Sequence, residues 1–248
     1  MSSREEFIPI GIASSVAKAS GFDWIKTIEI AEKLSLQVIQ FHLNQYKPEF
    51  NWQNDLIRRF EQIYIHLSAE LSYSHPFINL IKESPNKPLL IQHQRFLDQE
   101  DISFFIKNSF LLGFENDNRS KLNDYFYQLQ KLHSTGLNLS AIVDLPRFYH
   151  QFQNNHKEDE IFNHILKILK WCKTNEIPIV VHAIDIADYQ SDYDNWVPVF
   201  EGILPWNDFF SFIIEDKIQI KSIIFEYEDV PNTEKSVYSL RKWFDKKF

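Results

Sequence analysis

Eight short runs rich in β-branched and aromatic residues alternate with longer amphipathic segments from one end of this chain to the other. They fall at residues 8–13, 37–42, 63–67, 88–93, 110–115, 139–144, 177–182 and 221–226. Helices are expected between them at 23–34, 54–59, 101–108, 119–133, 159–174, 206–214 and 233–246, with a weaker one at 76–82. Several of these open on Asp or Asn in a capping position. Sharing 248 residues among eight units gives 31 each, room for one strand, one helix and two short loops. That spacing closes a (β/α)8 TIM barrel, expected here as a single domain over residues 1–248.

The competing architecture is a doubly wound open sheet, which normally announces itself with a glycine-rich first turn. Here the first run leads into GIASSVAKAS, without GxGxxG spacing, and the whole chain has only 5 Gly. A Walker-type phosphate loop and a GxSxG elbow are also missing from the sequence. The barrel is the better reading.

Six successive runs end on a carboxylate or an imidazole: His66, His93, Glu115, Asp144, His182 and Glu226. Parallel strands would bring these side chains together at one end of the sheet, where barrels carry their chemistry. Each has a plainer reading alone: Asp144 before Leu-Pro as a turn or helix cap, the histidines as polar strand ends, Glu226 in FEYED as a solvated acid. Their convergence reverses that reading. Three carboxylates with imidazole make a hard, mainly oxygen site suited to a divalent ion, Mn, Mg, Co, Fe or Zn, and the extra histidines favour Zn or Fe at a neighbouring position.

Composition narrows the setting. The single Cys172 excludes an internal disulfide framework and thiolate clusters, which fits a reducing compartment, so a cytoplasmic location is expected. MSSREEFIPI carries acids where a signal peptide needs a basic and then a long apolar stretch, and no run approaches a membrane span. A formal charge of −8 disfavours nucleic acid and anionic lipid as partners. The 22 Phe are expected mainly between helices and barrel, with a homodimer interface as the second place for them.

The order His, His, Glu, Asp, His, Glu on successive strand ends resembles the xylose isomerase-like TIM barrels, also called AP endonuclease family 2. This group includes sugar isomerases and epimerases and endonuclease IV. The resemblance covers essentially the whole chain, through GFEN at 113–116, IVD at 142–144, VVHAID at 180–185, VFEGILPW at 199–206 and IIFEYE at 223–228. It implies that Glu115, Asp144, His182 and Glu226 are the metal ligands of the isomerase and epimerase branch. It further implies that Glu115 and Glu226 form the acid–base pair that moves a proton beside a carbonyl.

His66 and His93 match histidines of the multi-zinc endonuclease branch, with Glu115 as a bridging carboxylate. In an isomerase they would instead bind substrate. The chain departs from both branches. Arg147 stands where a His is usual after the Asp, Asp194-Asn195-Trp196 replaces an Asp-x-His pair, and Phe200 replaces the first Gly of a GEG-like segment. A third zinc site is therefore not expected, and Arg147 becomes a candidate clamp for a substrate carboxylate or phosphate, against the equally available reading of an exposed loop arginine. His42 is read as a turn residue in preference to polar lining of the same mouth, and Trp206 and Phe200 as packing for the seventh helix in preference to walls of the pocket.

Three functions follow. The favoured one is a metal-dependent isomerase or epimerase acting on a small carbohydrate-like hydroxy-carbonyl compound. The others are a metal-dependent phosphodiesterase resembling an AP endonuclease, and a metal-binding barrel with an accessory role.

Overall fold

The computed structural model describes residues 8–48, 50, 56–67, 75–84, 86–118, 121–150, 156–189 and 195–247. Eight parallel strands close into a barrel in the order β1-β10-β7-β6-β5-β4-β3-β2. They are β1 (Ile10–Ala13), β2 (Val38–His42), β3 (Gln62–His66), β4 (Leu89–His93), β5 (Leu112–Glu115), β6 (Leu139–Asp144), β7 (Ile179–Ala183) and β10 (Ile220–Phe225). Every expected strand is present, trimmed by a residue or two at some ends. Closure comes from β1 pairing in parallel with β10, Gly11 beside Ile224. A Cβ at Gly11 would lie 2.6 Å from the Val38 carbonyl oxygen, so the close approach of β1 to β2 requires glycine there.

The helices are α1 (Trp24–Lys33), α2 (Pro76–Lys82), α3 (Gln99–Asn108), α4 (Leu122–Ser134), α5 (Leu145–Tyr149), α6 (Glu158–Thr174), α7 (Trp206–Glu215) and α8 (Val230–Asp245). The weaker expectation at 76–82 is a helix whose N-cap is His75. The helix expected at 54–59 lies partly outside the described residues; within its described part Leu56 and Ile57 are helical, of the wide π type, and 58–59 form a turn. The expected start of α4 at 119 also lies outside them. Asp98 and Asp101 form a reciprocal capping box on α3, which sets its entry after β4.

Strand alternation divides the apolar residues into two clusters. The larger fills the shell between strands and helices, with Phe105, Phe209 and Phe210 fully buried. The smaller holds Ala13, Val38, Tyr64, Leu89, Ile91, Ile142, Val180 and Ile224, the inward residues of the barrel. These inward residues form an apolar floor beneath the strand ends, so the next inward position on each strand sits at the rim, where the ligand-type residues are.

A two-stranded antiparallel pair, β8 (Asp185–Ile186) with β9 (Trp196–Val197), rises beyond β7. The buried Asp185 carboxylate anchors the chain that follows, accepting from the N–H groups of Ile186, Phe200, Gly202 and Leu204 at 2.9–3.1 Å. Gly202 is obligatory in this clasp, since a Cβ would meet Asp185 Oδ1 at 2.2 Å. Phe200 adopts φ 75°, the left-handed region, which accounts for a glycine being usual at that place. Its ring stacks on Trp243 and packs on Phe210, and Trp206 is fully buried with its indole N–H on the Ile184 carbonyl. Both are packing residues, as expected.

Candidate metal centre

Strand register brings the ligand-type residues into one ring. His93 lies beside Glu115, Asp144 beside His182, and His42 beside His66, while Glu226 follows β10 directly. Glu115, fully buried, is the hub. Its Oε1 is 2.8 Å from His182 Nδ1, and its Oε2 lies 3.0 Å from His66 Nε2 and 2.9 Å from His93 Nδ1. His182 Nδ1 is also 3.3 Å from Glu226 Oε2.

The outer nitrogens of two imidazoles decide what the inner ones offer. His66 Nδ1 lies 3.0 Å from the Leu67 carbonyl, and His182 Nε2 lies 3.0 Å from Gln40 Oε1, whose amide N–H in turn donates to Glu226. Facing these acceptors, each outer nitrogen must carry the hydrogen. In the neutral imidazoles the inner nitrogens therefore present lone pairs directly to carboxylate oxygens, an acceptor against an acceptor. Only a cation between them, a proton or a metal ion, makes that arrangement favourable, and this is how metal-binding histidines are oriented by their surroundings.

Two donor groups result, each with ligand atoms within 4.8 Å of one another: Glu115, Asp144, His182 and Glu226, and separately His66, His93 and Glu115. The first is the set expected from the sequence. The second joins the two ambiguous histidines through the same glutamate. Carboxylate with imidazole suits the hard to borderline divalent ions, so the residues present fit a metal.

Electrostatics agrees with that fit. Burial alone would lower the His182 pKa, but Glu226 and Glu115 beside it push it up to about 10, so a proton occupies the cation position when nothing else does. Burial opposes ionisation of Glu226 too, yet His182 brings it down to about 2. Burial raises Asp144 to about 6, partly offset by Arg147. Asp144 is also the N-cap of α5, accepting from the Arg147 N–H at 3.0 Å, so the plain and the functional readings of this residue are both true. Asn116 pins its backbone on both sides, accepting from the Asp144 N–H and donating to its carbonyl.

Arg147 is no exposed loop residue. Its Nε lies 2.9 Å from Asp144 Oδ2 and 3.6 Å from Glu115 Oε1, and Nη1 is 3.3 Å from His93 Nδ1. The guanidinium is thus a fixed positive charge against the donor set. His42 corrects the reading of a turn residue. Its Nδ1 pairs with the Ser14 hydroxyl at 3.0 Å, and burial, with His66 nearby, lowers its pKa to about 4. The neutral ring faces the same opening as the ligands.

That opening holds a cavity of about 270 Å³ bordered by His42, His66, His93, Arg95, Arg147 and Glu226, and an adjoining one of about 150 Å³ reaching Trp196 and Glu228. Glu115 and His182 border neither. Asp194 lies outside the described residues, while Asn195 donates to Asp188 at 3.1 Å. Gln40 and Asn116, both buried amides, complete the surroundings of the donor set, although neither is among the expected site residues.

No protein-family model matches the sequence, and no curated protein matches it in sequence. Solved structures match the fold. A probable 3-DHS dehydratase, AsbF, from Bacillus anthracis has a TM-score of 0.63 at 12% identity, with 94% of this chain and 99% of that one covered. A D-tagatose 3-epimerase-like protein scores 0.63 at 12% identity over 96% and 97%. The IolI protein, described with a bound zinc atom, scores 0.60 at 10% identity over 96% of each chain. Barrels described as a xylose isomerase domain containing protein and as an AP endonuclease of family 2 share the fold as well. The architecture is therefore the xylose isomerase-like (β/α)8 barrel, as the resemblance implied.

Proposed function

We propose that this chain is a divalent-metal-dependent isomerase or epimerase acting on a small, carbohydrate-like hydroxy-carbonyl compound. The observation that carries the reading is the pair of imidazoles whose outer nitrogens are committed as donors while their inner lone pairs meet buried carboxylates. Glu115, Asp144, His182 and Glu226 would hold the ion. When bound, it supplies Lewis-acid stabilisation of negative charge on the substrate oxygens.

The chain's own residues divide the remaining work. Glu226 borders both cavities and keeps its carboxylate ionised, so it is the group placed to take a proton from a substrate carbon. Glu115, without exposed surface, completes the pair through the His93 imidazole, which it touches and which borders the cavity. Arg147 and His93 meet the substrate at the opening, with Arg147 as the group for an anionic substituent. Phe96 and Leu67 supply the apolar part of the lining.

The second donor group favours one other reading, a hydrolase with a metal on His66, His93 and Glu115. Elemental analysis of protein purified without added metal separates the two, repeated on Glu226→Ala and His93→Ala. One ion per chain, lost in Glu226→Ala and kept in His93→Ala, is the result expected here. Two ions with dependence on His93 would favour the hydrolase, and no metal even after reconstitution would sink both.

A further inference from the structure

The opposite end of the barrel is built unlike a closed base. Barrel interiors are normally filled in layers by bulky branched side chains, so that the N-terminal face is packed. Here the lowest inward layer carries Gln62 on β3 and Ser222 on β10. Those strands are not neighbours in the sheet, so their contacts cross the interior. The Tyr64 hydroxyl reaches down to Gln62 Oε1 and pairs with the Ser222 hydroxyl at 2.9 Å, while the Gln62 amide donates to the Lys221 carbonyl at 3.2 Å. The lowest layer is thus small and polar instead of bulky and branched. Below it opens a cavity of about 620 Å³, larger than either cavity at the metal-centre end and within the range of small-molecule sites.

Lys221 gives this cavity a charge. The register of β10 against β7 shifts between Ile220 and Ser222, an irregularity that re-aims the intervening side chain. Lys221 borders the cavity, half-buried, and none of the described residues pairs with its ammonium. Burial holds its pKa below the usual lysine range. Lys87 adds a second positive charge at the wall, fixed by the Asn108 carbonyl at 2.7 Å and by the Phe110 ring beneath it, and Glu61 is the one acid on the lining among the described residues. Ile63, Leu89 and Leu111 supply an apolar side.

We propose that this N-terminal mouth is a second binding site, taking a small organic anion with an apolar or aromatic body, its anionic group on Lys221 and its body along Leu89 and Leu111. A partly desolvated ammonium facing a roomy, polar cavity with one apolar side is completed by such a ligand and by neither a neutral sugar nor a cation. The site is independent of the metal centre at the other end.

Calorimetric titration with naphthalene-2-carboxylate tests it, in metal-free buffer. One equivalent is expected to bind, at least tenfold more tightly than the uncharged naphthalene-2-methanol. Lys221→Met should weaken the acid at least tenfold, Leu111→Trp should abolish binding by filling the mouth, and Arg147→Met should leave it unchanged. Thermal melts establish that the variants are folded, and the neutral analogue makes the charge test on the unaltered chain. Absence of binding, equal binding of acid and alcohol, binding retained in Lys221→Met or Leu111→Trp, or loss in Arg147→Met would each overturn the proposal.

Discussion

At the scale of single residues, Arg147 sets the electrostatics of the candidate metal centre. A unit charge within about 4 Å of another is worth about 4 kcal/mol at an intermediate effective dielectric. Arg147→Met is therefore expected to tighten Mn²⁺ or Zn²⁺ binding at least about tenfold by calorimetry. The same change should lower the melting temperature in EDTA, since removing one partner of a buried pair costs about 3 kcal/mol or more. His42 contributes one acid-sensitive share of the stability. Its folded pKa of about 4 lies below the ordinary 6.5, so the neutral ring contributes stability that is present above pH 6.5 and is lost as pH falls through 4. Between pH 6.5 and 4 the wild type should therefore lose more melting temperature, or gain less, than His42→Asn does, since Asp144, raised to about 6, acts in the opposite direction in both proteins. The ligand-type residues were legible in the sequence because each closes an apolar run on a group with one obvious chemistry. Gln40 and Asn116 were not, because an amide at a strand end carries no such signal; Gln40 matters only through its partners, His182 and Glu226. Arg147 was legible as a departure from a pattern, but its inward course depends on α5 turning back over Asp144.

At the scale of elements, the clasp on Asp185 is what holds the segment after β9 above the barrel mouth. Asp185→Ala leaves four backbone N–H groups without their acceptor. A loss of about 1–3 kcal/mol is expected, which at about 2–4 °C per kcal/mol for a chain of this size lowers the melting temperature measurably. Gly202→Ala should act in the same direction through its clash with the same carboxylate. A circular-dichroism melt within 1 °C of wild type for both, allowing about 1 °C as the reading error, would show that the clasp contributes nothing. The strands and long helices were legible from periodicity, because burial of one face imposes it. The five-residue α5 and the two-residue strands β8 and β9 are too short to show a period, and what creates them is a cap on Asp144 and a tertiary clasp on Asp185.

At the scale of the whole molecule, eight strands paired in one ring should unfold together. Scanning calorimetry is expected to show one transition, with a calorimetric enthalpy of about 170 kcal/mol near 60 °C for 248 residues, equal to the van't Hoff value. Two separable transitions would mean that part of the chain folds independently. The barrel itself was readable from the count of eight alternating units and from the scarcity of glycine, but the polar base at Gln62 and Ser222 was not, because inward and outward positions cannot be told apart on strands buried on both faces. Closure through Gly11 and Ile224 joins nearly the two ends of the described chain. Contacts of such long range form late, since loop-closure entropy is lost before they reward it. Glu226 stands one residue beyond β10, so the four-ligand set exists only after the ring has shut. During synthesis Glu115, Asp144 and His182 therefore emerge well before Glu226, and the proposed four-donor set is completed only by the last strand of the barrel.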